Sequence, residues 1–529
     1  MSKTVPFSHP TIGELTGTHS DSGINCFLGI QYATIQDRFS SPEIKQYHEP
    51  GKIDCTKPGP QSFCFAPGPD AEFAFLQHKL DYDRSLMTVS DTECLNLNIT
   101  APSTIKEIQK LPVLVFIHGG GFSVGSPSVP QYDMTRLVAL SVESGMPIIA
   151  VSIGYRLSAP GFLTSQKLRT AGYKPNNGLR DQRTALQWIQ KHISGFGGDP
   201  SNVTLMGESA GAVATTYHLH AQEHLFTRFM LMSGSYLSQP PASLSDAEEN
   251  YAKAVKALGL ESTPPEERIN TLLTMDPLTL CTKCFHSGVQ DSAVLDNDLI
   301  TFSPTYSSLA DNTLAIPALE WCKSALIGDC QFDGNIRSLA LQHRKKDIAA
   351  AFCTSLTTSL PPSVSSAILS AYNLTPSTPD PQALQSILEL CTDISFYMPT
   401  HHLATHLSRH LPVNIYRFNA PNPWEGPWKG QAIHIQDLTW LLQNFAEFLD
   451  EEQRGQGVEF AQKVLGFVNG RAWETWPEAL VLGTEGRVEV VRDEAPGNGR
   501  RGFVLELVKE GRVGMDELSG ALGRFMAGG

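Results

Sequence analysis

Residues 203–212 read VTLMGESAGA, and the other elements of the chain can be arranged around them. An apolar run ends there in Gly-x-Ser-x-Gly, and a small-residue pattern typical of a helix begins at once. The sequence predicts a sharp strand-to-helix turn that lifts the Ser209 hydroxyl clear of the backbone, with Gly207 and Gly211 leaving room for the bend. Because the first N–H groups of a helix have no partner within it, the amide of Ala210 is a candidate donor to an oxyanion.

A second glycine-rich stretch, HGGGF at 118–122, follows a continuous apolar run at 111–117. Three successive glycines leave backbone N–H groups uncovered at the end of the predicted strand. Together with the serine turn, they predict the remainder of an oxyanion hole, in which Gly120 and Gly121 donate beside Ala210. Taken alone, the stretch could be a flexible glycine loop. A phosphate-binding loop is disfavoured because no Lys-Ser/Thr pair follows the glycines.

Apolar runs and helical patterns alternate through the first half of the chain. Residues 111–117 and 147–153 are continuous apolar runs, as expected of strands buried on both faces. Residues 181–194 have the spacing of an amphipathic helix that leads towards the strand before Ser209, and 228–233 supplies the next strand. This alternation predicts an α/β fold with a mostly parallel central sheet covered by helices.

Two long segments interrupt the alternation. Residues 236–320 and 340–410 mix helical patterns with loops that are rich in Pro and Ser in places. We interpret them as large helical and loop insertions over the active site rather than as separate domains, so that residues 1–529 form a single catalytic domain. The loop at 66–92 is expected to shape the same pocket.

The balance of charge narrows the classes of partner. The chain has 529 residues, with 40 Lys and Arg against 54 Asp and Glu and a formal net charge of -14. This excess of acid disfavours nucleic acid and anionic membranes as partners and leaves a small molecule as the expected substrate. The N-terminal residues lack the apolar segment of a signal peptide, and no later run is as long as a membrane-spanning helix. We expect a soluble cytoplasmic protein; the sequence leaves its oligomeric state open.

A serine at its usual pKa needs a histidine to accept its proton, and the histidine needs a carboxylate to orient it. In folds built around this kind of serine turn, the acid and then the histidine follow the serine along the chain. Among 16 histidines, His434 is the best candidate because it lies in a loop beyond the predicted strand at 413–418. The segment 325–334 reads as a strand and a turn, in which Asp333 is the preferred acid and Asp329 its rival.

Two groups of residues have spacings that occur in metal sites. The i, i+4, i+8 spacing of His402, His406 and His410 permits a zinc site on one side of a helix. A solvated helix side is the favoured interpretation, because no His-Glu-x-x-His pattern accompanies these residues. Cys281 and Cys284 lack a second pair at zinc-ribbon spacing. We therefore expect neither a metal nor a cofactor.

Taken together, the motifs resemble the type-B carboxylesterase and cholinesterase family of α/β-hydrolases. The matching segments cover most of residues 26–440 and are highly specific as a set. Besides the acid and histidine segments, they are FLGI at 27–30, ECLNLN at 93–98, HGGGF at 118–122, NGLRDQ at 177–182, FGGDP at 196–200 and GESAG at 207–211. The resemblance implies an α/β-hydrolase fold with Ser209 as nucleophile, His434 as base and Asp333 as acid. It also implies an oxyanion hole formed by Gly120, Gly121 and Ala210.

The resemblance has one further implication. The chain also departs from the family pattern at Asp333 and at Ile435. The family pairs a cysteine at the position of Cys94 with one upstream, which here would be Cys64. The family acid is commonly Glu, so the turn that carries the shorter Asp333 must lie closer to His434. Ile435 stands where a glycine is frequent.

These features predict a serine carboxylic-ester hydrolase that acts on a small-molecule ester through an acyl-enzyme. An acyltransferase or lactone-forming enzyme would use the same acyl-serine but pass the acyl group to an acceptor other than water. A non-catalytic binding protein on this fold is a third alternative. The intact Ser209, glycine stretch and His434 disfavour it.

Overall fold

One large mixed sheet organises the molecule. The computed structural model describes residues 3–47, 51–66, 68–103, 110–471, 473–493 and 500–528. In chain order, the strands in these residues are β1 Lys3–His9, β2 Gly13–His19, β3 Ile24–Gln31, β4 Ala33–Thr34, β5 Glu43–Ile44, β6 Gly51–Asp54, β7 Asn96–Pro102, β8 Leu111–Ile117, β9 Ile149–Ile153, β10 Gly198–Glu208, β11 Arg228–Met232, β12 Ser324–Cys330, β13 Val413–Phe418, β14 Glu478–Leu482 and β15 Val488–Arg492.

The middle of the sheet is parallel. From β9 the order is β9-β8-β10-β11-β12-β13-β14, and every neighbouring pair in this series is parallel. Strands β1, β2, β3 and β7 extend the sheet antiparallel on one side, and β15 does so on the other. The predicted α/β fold with a mostly parallel central sheet is confirmed. The strands expected at 147–153 and 228–233 are Ile149–Ile153 and Arg228–Met232.

Strand β8 shows why the central strands read as continuous apolar runs. Val113, Val115 and Ile117 belong to one hydrophobic cluster, Leu114 and Phe116 belong to another, and all five side chains are fully buried. Successive side chains of a strand point to opposite faces of the sheet. Both faces are covered, so no position on the strand calls for a polar residue.

Helices pack around the sheet. In chain order they are α1 Asp70–Leu76, α2 Thr135–Glu143, α3 Ser158–Phe162, α4 Gln166–Thr170, α5 Asn177–His192, α6 Ala210–His218, α7 Leu244–Leu258, α8 Pro265–Thr274, α9 Pro277–His286, α10 Tyr306–Ala310, α11 Ile348–Ser359, α12 Pro362–Ala371, α13 Asp380–Thr392, α14 Met398–Leu407, α15 Gln436–Leu442, α16 Glu451–Val468, α17 Arg500–Lys509 and α18 Met515–Ala527. Helix α5 is the helix expected at 181–194, although it begins earlier and ends in a short 3-10 turn, Ile193–Phe196.

The two segments interpreted as insertions are largely helical. The segment 236–320 contains α7 to α10, and 340–410 contains α11 to α14. Helix α9 packs against α3, and α14 packs against β12 and β13. The C-terminal helix α18, which the sequence patterns did not reveal, packs against α11. No helix among the described residues is both long and apolar enough to cross a membrane.

The disulfide that the family resemblance implies is absent, because all ten cysteines are free thiols. Cys64 lies near Cys281, whereas Cys94 lies near Arg156, so the two have different surroundings. Burial raises the pKa of each of these two thiols to about 12. The Cys64–Cys94 pairing of the family, which the sequence left open, is therefore not formed in this structure.

A buried ion pair joins the sheet to helix α5. Arg156, just after β9, donates to both carboxylate oxygens of Asp181, with Nη2–Oδ1 and Nε–Oδ2 distances of 2.6 and 2.8 Å. Both side chains are fully buried. The remaining guanidinium nitrogen donates to the backbone oxygens of Arg38 and Ser40. The pair thus connects a strand, a helix and an N-terminal loop.

We expect Asp181→Asn to destabilise the protein strongly, because it leaves a buried guanidinium without its carboxylate. Removing one partner of such a pair costs about 3–5 kcal/mol. Calorimetry should show a clearly lower Tm for this variant. The exposed Asp21→Asn substitution is the control and should leave Tm unchanged. A wild-type Tm for Asp181→Asn would contradict the role assigned to the pair.

Candidate active site

Ser209 lies at the turn between β10 and α6. Its backbone has φ 53° and ψ -121°, a region that residues other than glycine rarely adopt. A side chain at Gly207 would collide with the carbonyl group of Gly211, and one at Gly211 would collide with the carbonyl group of Ile117. The two glycines therefore allow the helix and strands to approach closely enough for the turn, as the sequence predicted.

The register of the sheet brings the serine turn and the glycine stretch together. Gly207 on β10 pairs with Ile117 on β8 and with Leu231 on β11. The residues that follow these strands therefore emerge at the same edge of the sheet. This edge, at the carboxyl ends of parallel strands, is where open α/β sheets bind ligands.

Ser209, His434 and Asp333 form a row of hydrogen-bonded side chains. His434 Nε2 lies 2.9 Å from Ser209 Oγ, and His434 Nδ1 lies 2.7 Å from Asp333 Oδ1. His434 and Asp333 are almost wholly buried. Burial raises the pKa of Asp333, and the hydrogen bond with His434 opposes that rise. The structure thus brings together the three side chains selected from the sequence.

Two additional groups hold the Asp333 carboxylate. Asp333 begins a short 3-10 helix, Asp333–Ser338, and its Oδ2 accepts hydrogen bonds from Ser233 Oγ at 2.9 Å and Cys330 N at 2.7 Å. The rival acid, Asp329, instead forms an ion pair with Arg417 at 2.8 Å. Sequence reasoning missed Ser233, because a serine after a strand carries no signal of its distant partner.

The backbone around His434 is strained. Ile435 has φ 69°, a conformation that is costly for a β-branched residue and that glycine adopts without strain. Two side-chain acceptors hold the loop. The amide of His434 donates to Asn335 Oδ1 at 3.1 Å, and the amide of Ile433 donates to Gln436 Oε1 at 3.0 Å.

A buried carboxyl group, that of Glu208, faces the same imidazole ring. Its Oε1 lies 3.4 Å from His434 Nε2, and the side chain is 1% exposed. Burial, reinforced by nearby Asp437, Glu72 and Asp333, raises the pKa of Glu208 well above its usual range and so favours the neutral acid. The residue lies within the GESAG motif, but nothing in the motif predicts its neighbours.

Two of these neighbouring carboxyl groups have hydrogen-bond partners of their own. Tyr416 donates its hydroxyl to Asp437 Oδ2 at 2.5 Å, and Gln131 donates to Glu72. Burial, with a contribution from Asp333, raises the pKa of Asp437 to about 6. Burial also raises the pKa of Glu72.

The glycine stretch turns back beside Ser209. Gly120 and Gly121 have φ values of 98° and 63°, which favour glycine, and Gly120 O accepts hydrogen bonds from the amides of Ser123 and Val124 at 3.0 Å. Ser123 Oγ donates to Asp291 Oδ2 at 2.6 Å. Asp291 comes from the segment 236–320, so this segment is tied directly to the glycine stretch. Burial raises the pKa of Asp291 to about 7.

These elements enclose a cavity of about 430 Å³. Its lining includes Ser209, His434 and Glu208 together with Gly120, Gly121 and Ala210. Four phenylalanine rings line it: Phe65 and Phe75 from the loop at 66–92 and its edge, Phe285 from the first long segment and Phe396 from the second. The cavity can therefore hold a small apolar molecule against the serine hydroxyl.

The expected solvated helix side is wrong for His406, which is buried in α14, and His410 lies beyond the end of that helix. His402 Nδ1 and His406 Nδ1 each lie 2.9 Å from a backbone oxygen, those of Met398 and Leu309. Cys281 and Cys284 are buried in α9. Within the part of the chain that the structure describes, no group of three or more His, Cys, Asp and Glu residues could hold a metal ion.

The mostly parallel sheet, with a serine at the sharp turn after a central strand, defines an α/β-hydrolase. The model of the Carboxylesterase family matches residues 3–469. The chain therefore belongs to the carboxylesterase family.

Comparison with individual proteins supports the same family. Para-nitrobenzyl esterase of Bacillus subtilis (strain 168) is 28% identical over 484 residues, which cover 89% of this chain and 90% of that protein. Lipase 3 of Yarrowia lipolytica is 36% identical over 283 residues, but the match covers only 50% of this chain and 54% of that protein, about half of each. A solved thermophilic PNB esterase superposes with a TM-score of 0.72 at 25% identity, over 94% of this chain and 99% of that one.

The burial of Asp291, which outweighs its hydrogen bond with Ser123, predicts a pH-dependent stability. The folded-state pKa of Asp291, about 7, lies above the value of an unfolded aspartate, so the stability from the protonated acid is complete below about pH 4. That stability is lost as pH rises through about 7. Asparagine still accepts a hydrogen bond but does not titrate, so Asp291→Asn should raise Tm at about pH 8 by more than at about pH 5.

The measurement is Tm against pH for the wild type, Asp291→Asn and, as a control, Asp311→Asn at an exposed position. The control should follow the wild-type curve. If the Tm difference between Asp291→Asn and the wild type is the same at about pH 5 and about pH 8, the raised pKa assigned to Asp291 is wrong.

Proposed function

We propose that this protein is a serine carboxylic-ester hydrolase that cleaves a small-molecule ester through an acyl-enzyme. The observation that carries the proposal is the row of hydrogen bonds from Asp333 through His434 to Ser209, the last two of which line a cavity. Membership of the carboxylesterase family supports the same reaction, as do relatives named as an esterase and a lipase.

In the first half-reaction, Ser209 Oγ attacks the ester carbonyl carbon while His434 Nε2 takes the hydroxyl proton. Asp333 keeps the imidazole oriented and stabilises the imidazolium. The carbonyl oxygen becomes negative and accepts hydrogen bonds from the amides of Gly120, Gly121 and Ala210. When the tetrahedral intermediate collapses, His434 returns the proton to the leaving alkoxide, and the alcohol departs.

In the second half-reaction, water attacks the acyl group on Ser209 and His434 accepts the proton of the water. Collapse of the second intermediate breaks the acyl–oxygen bond, returns the proton to Ser209 Oγ and releases the carboxylic acid. The relatives named as an esterase and a lipase favour water over another alcohol or an amine as acceptor. For this reason we propose a hydrolase rather than an acyltransferase or a lactone-forming enzyme.

The surroundings of His434 suit this chemistry. Hydrogen bonds from Ser233 and the amide of Cys330 favour the ionised form of Asp333, in opposition to burial. The raised pKa of Glu208 favours its neutral form. These hydrogen bonds favour a carboxylate at Asp333 that can stabilise the imidazolium, and the raised pKa of Glu208 disfavours a second negative charge beside the serine.

We also propose that residues 1–529 act as a single catalytic domain. Both long segments contribute side chains to the cavity that contains Ser209, with Phe285 from the first and Phe396 from the second. A segment that forms a wall of the site cannot be removed without opening the pocket.

Ser209→Ala should abolish turnover of short p-nitrophenyl esters while preserving the fold. Loss of a nucleophile of this type lowers kcat by on the order of 10⁴-fold or more. An organophosphonate should inactivate the wild type and appear, by mass spectrometry, on the peptide that contains Ser209. Ser201→Ala, at an exposed position on the same strand, is the matched control. Full activity of Ser209→Ala would refute the mechanism.

Asp333→Asn should keep the shape of the carboxylate but remove its charge and favour the wrong imidazole tautomer. We expect kcat to fall by roughly 10³- to 10⁴-fold. Asp333→Glu should recover part of this loss, because it restores the charge at the cost of one extra methylene. Near-wild-type kcat in Asp333→Asn at neutral pH would show that this carboxylate does not assist His434.

A further inference from the structure

Arg337 lies at the boundary between the catalytic cavity and a neighbouring one. It is four residues after Asp333 in the same 3-10 helix, Asp333–Ser338, and its side chain is partly buried. It lines the cavity that contains Ser209 and also an adjacent cavity of about 510 Å³. The side chain therefore projects a positive charge into the wall of the site.

The guanidinium group of Arg337 has no carboxylate within ion-pairing distance and no hydrogen-bond acceptor among the residues that the structure describes. Burial lowers its pKa. For Arg417, by contrast, the ion pairs with Asp329 and Asp493 outweigh burial and raise the pKa well above its usual value. An arginine remains protonated at neutral pH in either case, so Arg337 is a partly desolvated cation without an anion.

An aromatic ring links Arg337 to the reacting groups. The guanidinium carbon lies 5.9 Å from the ring centroid of Phe396, and that ring lies 5.3 Å, centroid to centroid, from the imidazole of His434. The face of an aromatic ring attracts a cation but cannot replace a carboxylate. A substrate that reacts at Ser209 and extends along Phe396 would bring its far end to the guanidinium.

The other charged groups of these cavities do not compete for Arg337. Burial raises the pKa of Glu72 and of Glu208, which favours their neutral forms. In the adjacent cavity, the carboxylate of Asp516 accepts hydrogen bonds from the amides of Tyr306 and Ser307 and from the Ser307 hydroxyl. An anion that enters from solvent could therefore bind Arg337 without displacing a carboxylate of the protein.

We propose that Arg337 is a specificity residue that binds a carboxylate carried by the ester substrate at a distance from the reacting carbonyl. This inference rests on the proposed ester hydrolysis. The substrate class that it names is esters that carry a free carboxylate in addition to the ester bond. A planar guanidinium can bind a carboxylate through two parallel hydrogen bonds. Because the contact is remote from the bond that breaks, it should act mainly on KM.

The test compares matched esters with and without the negative charge. For a carboxylate on the acyl side, the pair is p-nitrophenyl hydrogen adipate and its methyl ester. For a carboxylate on the alcohol side, the pair is 4-acetoxybenzoate and its methyl ester. The readout is the ratio of kcat/KM for the charged and neutral members of each pair, measured for the wild type, Arg337→Met and Arg337→Lys.

We expect Arg337→Met to lower the charged-to-neutral ratio by roughly 10- to 100-fold in at least one pair, chiefly through KM. The pair that responds identifies the side of the ester that carries the acid. Arg337→Lys, which keeps the charge but not the planar fork, should retain an intermediate ratio. Arg409→Met, at an exposed position outside the catalytic cavity, makes the same change of charge and should leave both ratios at the wild-type value.

A ratio that Arg337→Met leaves within about twofold of the wild type in both pairs would overturn the inference. If Arg337→Met fails to fold, as judged by circular dichroism, the ratio in Arg337→Lys decides, and a wild-type ratio there refutes the bidentate contact. A wild type that hydrolyses neither member of any pair would refute the proposed function itself. If the neutral esters are hydrolysed but the charged-to-neutral ratios do not change when Arg337 is substituted, only the proposed substrate class is refuted.

Discussion

The backbone conformation of Ser209 is the constraint on which the site depends. A serine at φ 53° is strained, and it persists because strands β8, β10 and β11 and helix α6 hold it from several sides. The closest approaches fall at Gly207 and Gly211, where any side chain would collide with a carbonyl group. Once the turn is formed, the hydroxyl projects from the edge of the sheet, and the loops with His434 and the glycine stretch can meet it.

Burial controls the electrostatics around that hydroxyl. Several carboxyl groups lie near one another with little solvent, so the environment of each decides whether it is charged. Asp333 has Ser233, Cys330 N and His434 as hydrogen-bond partners. Glu208 has no hydrogen-bond partner among the described residues, and its pKa is raised well above the usual range. The hydrogen bonds thus favour negative charge on Asp333, which contacts His434 Nδ1, whereas burial without such partners disfavours it on Glu208.

Sequence patterns predicted the local features of this protein and missed those that depend on distant contacts. The strands, the serine turn and the glycine stretch follow from short runs of residues, and Asp333 and His434 could be selected because family motifs surround them. The contacts of Asp291 with Ser123 and of Ser233 with Asp333 join residues more than ninety positions apart. The family pattern also suggested a disulfide between Cys64 and Cys94, which are free thiols in separate surroundings.

By itself, the sequence determined the class of fold, the serine turn and the family of the chain, because hydrophobic period and glycine placement act over a few neighbouring residues. Only the tertiary structure decided which groups hold Asp333 against His434, which carboxyl groups are driven towards their neutral forms and where Arg337 lies. Those properties depend on desolvation and on distances of a few ångströms between chain segments. Such distances are set by how the whole sheet and its two long insertions pack together.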